Sequence, residues 1–145
     1  MYILSNRKAY LEFYDVVKEK DADYMQLMDA LGAEQAKYDH LEDFAPDEAW
    51  YDSLLAVASF KSCTAKDDAD IDQMLLDSLR IYLDHSKAIP DLSDEARAEK
   101  IAVTREYTDG LIDHGGVSTD VFKKELGADA TRKFFDTVMF GTAVE

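Results

Sequence analysis

Every histidine of the chain follows an aspartate: Asp39-His40 in KYDHLE, Asp84-His85 in YLDHSK and Asp113-His114 in LIDHGG. A carboxylate beside an imidazole is the chemistry of a divalent-metal site or of a general base with its orienting acid. The spacing argues against both. Neighbouring residues on a helix point about 100° apart, so an Asp-His dipeptide does not converge on one ion. Helical ligands stand three or four residues apart, and only His40 has an acid at that distance, Asp43. HExxH and ExxH patterns are absent. His40, His85 and His114 are thus weak metal candidates. Their expected place is at helix ends, where imidazole bonds the last free carbonyls. No cofactor is expected.

Other chemistry-bearing stretches fail in similar ways. Asp68, Asp70 and Asp72 alternate as in a calcium loop, but Gln73 stands where glycine is needed and Leu79 where a bidentate glutamate is needed. DHGGVSTD holds Asp113, His114 and Ser118, the residue types of an acyl-transfer triad. A nucleophile elbow would need glycine at Asp120 and a preceding strand. HGGVST lacks the lysine of a phosphate loop. Cys63 is the lone cysteine, flanked in sequence by Lys61 and Lys66, and reads as a structural thiol. No catalytic residue, and hence no enzyme, is expected.

The elements that hold these residues read as helices. Ser5 or Asn6 caps a first helix with Ala9, Phe13, Val16 and Val17 in one stripe. Asp21 caps a second, 22 to about 43, whose three-and-four spacing passes through Gly32. Pro46, Asp47 and Glu48 open a third in which Trp50, Leu54, Leu55, Val57, Ala58 and Phe60 point almost all round, the pattern of a central helix. A fourth runs from about Asp68 to Asp84. Ser93 caps a fifth that Gly115 and Gly116 stop, Ser118 or Thr119 starts a short sixth that Gly127 ends, and a last begins near Asp129. No period-2 run is bounded by hairpin turns. The expectation is an all-α, single compact domain, residues 1–145, of six or seven helices in an orthogonal or irregular bundle.

Charge supplies the functional reading. Sixteen Lys and Arg stand against 31 acids, 21 of them Asp, for a net charge of −15. Direct nucleic-acid binding through phosphate neutralisation is excluded on that balance. Between residues 38 and 79 the acids are Asp39, Glu42, Asp43, Asp47, Glu48, Asp52, Asp67, Asp68, Asp70, Asp72 and Asp77, against only Lys61 and Lys66. These eleven are the candidate binding residues. Carboxylates along exposed helices imitate phosphate charge, so the expected function is that of a small acidic protein–protein interaction module. Its partner would be the basic surface of a nucleic-acid-handling protein, inhibited or regulated by the contact. The alternatives are an acidic scaffold or regulatory subunit with an apolar interface around KFFDTVMF, forming a homodimer, and a metal protein or enzyme built on the histidines. Tyr2, Tyr10, Tyr14, Tyr24, Tyr38 and Tyr51, with Trp50 beside acids, have the composition of a protein interface. A single cysteine, no leader pattern and a longest apolar run of LLAVA point to a cytoplasmic protein with no membrane contact.

Overall fold

The computed structural model describes residues 7–143, with Val117 and Ser118 described in backbone only. These residues divide into two compact units, one of 7–15 and 19–91, the other of 16–18 and 92–143.

The first unit is built on a sheet. Strand β1 (Arg7–Tyr14) pairs antiparallel with β2 (Leu55–Cys63), Ala9 opposite Lys61 and Phe13 opposite Val57. Residues 42–44 run along the other side of β2, where the Phe44 N–H donates to the Phe60 carbonyl at 3.1 Å and the Ser62 N–H to the Glu42 carbonyl at 2.7 Å. Helices α1 (Ala22–Gln35) and α2 (Asp68–Ala88) accompany this sheet. The core joins Ala9 and Cys63 of the strands to Tyr38, Leu41, Ile71 and Met74.

The all-α bundle of six or seven helices is therefore corrected, among the described residues, to five α-helices and a two-stranded antiparallel sheet. The segments read as the first and third helices contain the two strands. The physical reason lies in which residues are buried. Along β2, Ser59, Lys61 and Cys63 face the core while Phe60 lies on the opposite face. Polar groups inside and an aromatic ring outside erase the apolar-in, polar-out alternation that marks a half-buried strand. In β1 the alternation is present but short: Ala9, Leu11 and Phe13 on one face, Lys8, Tyr10 and Glu12 on the other. Ala9 and Phe13 also fit a helical stripe. The proposed caps Ser5 and Asn6 lie outside the described residues.

The helices follow their end signals more closely. The Asp21 carboxylate accepts from the Tyr24 N–H at 2.8 Å and starts α1, which passes through Gly32. It ends at Gln35 in a 3₁₀ turn, Ala36–Tyr38, short of the expected 43. Helix α2 begins at Asp68 as expected and continues to Ala88.

In the second unit Ser93 accepts from the Ala96 N–H at 3.2 Å and opens α3 (Asp94–His114). Gly115 ends it at φ 79°, a conformation that L side chains rarely adopt, and a Cβ there would come within 2.8 Å of the Asp120 carboxylate. Helices α4 (Val117–Leu126) and α5 (Ala128–Phe134) follow, and α5 runs on into a π-helical turn, Phe135–Met139. Thr108 and Thr131 are buried, each hydroxyl donating to the carbonyl four residues back, Thr104 and Gly127. The Lys123 ammonium donates to the Ile112 carbonyl at 2.9 Å, satisfying an acceptor in the last turn of α3. No helix of the described residues is long and apolar enough to cross a membrane.

Candidate functional site

The sheet of the first unit has two unlike faces. One carries the core. The other carries Tyr10, whose ring lies 5.2 Å from Phe44 and 5.8 Å from Phe60 in edge-on contacts. Tyr14 meets Tyr51 at 5.9 Å and Tyr51 meets Trp50 at 5.4 Å, extending the aromatic surface along the sheet. Tyr10 remains 44 % exposed and Trp50 36 %. Three of these rings, Phe44, Trp50 and Tyr51, belong to the segment joining the 3₁₀ turn to β2. That segment also holds Asp39, Glu42, Asp43, Asp47, Glu48 and Asp52, with no Lys or Arg between Lys37 and Lys61. Phe44 and Phe60 were not singled out as surface residues in the sequence. No local signal marks them, since Phe60 is set opposite Tyr10 by the strand pairing and Phe44 is placed by its N–H bond to the Phe60 carbonyl.

The eleven acids separate into two kinds. Several hold the unit together. Asp68 accepts from the Arg7 guanidinium. Asp43 accepts from the ammonium of buried Lys61 at 2.7 Å, and Lys61 also reaches the Leu41 carbonyl. Asp77 accepts from Gln73 and from Arg80, and Asp52 from the Ala49 N–H at 2.9 Å. Asp67 accepts from both the N–H and the hydroxyl of Thr64, at 2.8 and 2.9 Å, closing the turn before α2. Asp39, Glu42, Asp47 and Glu48 are exposed, and their side chains have no hydrogen-bond or ion-pair partner among the described residues. Asp72 is also exposed on α2.

The Thr64 N–H, then its hydroxyl, holds the Asp67 carboxyl below its ordinary value. The sign of the pH effect follows. Between the lowered folded value and the ordinary value of 3.8 the unfolded chain binds the proton more readily, so this contact stabilises above that range and the contribution is lost as pH falls through it. Asp67→Asn keeps an acceptor but not the charge. Its acid unfolding curve is expected to fall less steeply below about pH 4 than that of the parent. Equal slopes in acid titrations followed by circular dichroism would count against this coupling.

The histidines do not form one centre. His40 Nε2 lies 3.0 Å from Asp70 Oδ2, joining the chain after α1 to the first turns of α2, with both groups about half exposed. His85 Nδ1 lies 3.0 Å from the Ile81 carbonyl within α2. His114 is the last residue of α3 in the second unit. The preceding acids turn elsewhere: Asp84 accepts from Lys87 at 3.0 Å and Asp113 from Arg132 at 3.4 Å. Among the described residues no three His, Cys, Asp or Glu side chains are placed to hold one ion. Cys63 is buried at the end of β2 with its Sγ 3.3 Å from the Arg7 carbonyl, and burial pushes its thiol up, away from the reactive thiolate. No family, curated protein or solved structure matches the chain.

Proposed function

We propose that the protein is a small acidic interaction module that binds a basic protein surface by presenting carboxylates around an aromatic patch. The observation that carries this reading is the segment from Asp39 to Asp52. It interleaves six acids with Phe44, Trp50 and Tyr51, and four of those acids are unpaired with any described residue. Aromatic side chains supply the buried anchors of protein interfaces, and a rim of one sign steers a partner of the other. The four unpaired acids lie in the non-helical segment between the 3₁₀ turn and β2, not along helices as expected, so the reading rests on their charge and exposure. The proposed partner is a nucleic-acid-handling protein whose basic site the module occupies. It acts by binding, not by catalysis.

The test uses the intact chain and a variant with Asp39→Asn, Glu42→Gln, Asp47→Asn and Glu48→Gln, none of which removes a side-chain hydrogen bond or ion pair among the described residues. Affinity capture from the source lysate at low and high salt, read by mass spectrometry, is expected to retain a nucleic-acid enzyme at low salt and release it at high salt. The purified partner should bind the variant at least about tenfold more weakly. Equal binding of variant and parent would sink the proposal.

A second reading, an acidic scaffold with an apolar interface, is favoured by the exposure of Val138 and Met139, 66 % and 54 %, at the end of KFFDTVMF. Retention unaffected by salt and lost on Val138→Asp would support it.

A further inference from the structure

The backbone of β1 has an outward side. Phe60 and Ser62 direct their carbonyl and N–H to residues 42–44, so Ser59, Lys61 and Cys63 direct theirs to β1. Lys61 stands opposite Ala9, so Ala9 and Leu11 point into the pair, and Lys8, Tyr10 and Glu12 point their main-chain groups the other way. Among the described residues nothing hydrogen-bonds to the outward main-chain groups of Lys8, Tyr10 and Glu12. A strand whose central outward residues are open is a template for another strand.

The side chains say which strand fits. In an antiparallel pair, residues opposite one another share a face, so a two-fold axis through Tyr10 sets Tyr10 against its own copy, Lys8 against Glu12 and Glu12 against Lys8. The main-chain groups of those same three residues are the outward ones, so this register pairs all of them. An axis through Leu11 would set Lys8 against Tyr14 and Glu12 against Tyr10, leaving both charges without an opposite charge across the pair.

Helix α2 carries a second, independent sign. Arg7 meets Asp68 and Phe13 meets Tyr82, so α2 runs alongside β1 in the same direction. Asp70 meets His40, which follows α1. At about 100° per residue, Leu79 lies opposite Asp70 and within about 20° of Asp68, on the flank next to β1's open edge. Leu79 is 51 % exposed on that flank, and Leu83 and Leu76, 46 % and 50 % exposed, continue from it about 40° and 60° further round, away from buried Met74.

We propose that the protein forms a two-fold homodimer in which β1 pairs antiparallel with its copy about Tyr10, and the leucine flanks of the two α2 helices cover each other. The inference is separate from the binding of a basic partner, and each stands or falls alone. The dimer joins the two sheets into one, doubles the aromatic face and removes an edge that two-stranded sheets leave exposed.

Sedimentation velocity of the full chain tests it, with circular dichroism confirming that each variant is folded. The parent is expected to be dimeric at about 100 μM. Lys8→Glu and Glu12→Lys each place like charges in both cross-strand pairs and are expected to weaken association by about tenfold or more. The double variant, Lys8→Glu with Glu12→Lys, restores opposite charges and should restore the dimer. Leu79→Glu, which touches neither charge, should also weaken it. A monomeric parent at that concentration overturns the proposal. So does a dimer indifferent to the single reversals, or one that the double exchange fails to restore.

Discussion

Ile71→Ala is expected to destabilise the first unit by about 3–4 kcal/mol, and Ile71→Val by about 1 kcal/mol. Ile71 is buried in a cluster of six residues that joins α2 to both strands and to the chain after α1. A two-stranded sheet has little stability of its own, so it is held by what packs on its inner face. That face is poor in large apolar groups, since Ser59 and Lys61 take two of its positions. Few neighbours can move in to refill the space left by three methyl-sized groups, which places the loss in the upper part of the usual range. Urea unfolding followed by the fluorescence of Trp50, the only tryptophan and a residue of this unit, reads the change. A loss below about 1 kcal/mol for the alanine variant would mean that α2 does not pack on the sheet as described.

That arrangement explains which parts of the fold were legible in the sequence. Helices announced by a cap and a stop could be read. Asp21 starts α1 and Ser93 starts α3 through side-chain oxygens that accept local N–H groups, and Gly115 stops α3 by its positive φ. Those signals act over three or four residues, so the sequence displays them. The sheet depends on pairing between residues 41 to 56 apart, such as Tyr14 with Leu55 and Arg7 with Cys63, and no local signal encodes that pairing. Its buried side carries polar groups and its open side carries rings, so the strand period was hidden as well.

The candidate surface was legible to a similar depth. Composition located the acids, and Trp50 with the tyrosines was visible beside them. Which acids are spent within the unit was not visible, because their partners are distant: Arg7 for Asp68, and Lys61, on the neighbouring strand, for Asp43. Substituting Asp68 as a binding residue would thus remove a contact between β1 and α2. Asp39, Glu42, Asp47 and Glu48 are the better test of binding for that reason.

Phe135→Ala is expected to destabilise the second unit by about 4 kcal/mol, against about 1–2 kcal/mol for the half-buried neighbour Phe134→Ala. The Phe135 ring lies 5.8 Å from both Phe122 and Phe140 and 6.3 Å from Phe134, and it is the buried member of that group. Regular helical spacing would send Phe134, Phe135, Val138 and Met139 to one face. The π-helical turn changes that phase: the Phe140 N–H donates to the Phe135 carbonyl five residues back, at 2.9 Å. The wider turn carries Val138 and Met139 outward and returns Phe140 to the cluster. Beyond it, the buried Thr142 hydroxyl donates to Asp136 at 2.7 Å, and Arg105 of α3 donates to the Thr142 carbonyl, so the end of the chain is tied to α3 through this turn. Hydrogen exchange read by mass spectrometry on peptides from α3, α4 and α5 separates the two substitutions. Faster exchange throughout the unit for Phe135→Ala, with little change for Phe134→Ala, is the expected result. Equal effects would mean that the helix keeps its regular phase past residue 134 and that both rings share the core.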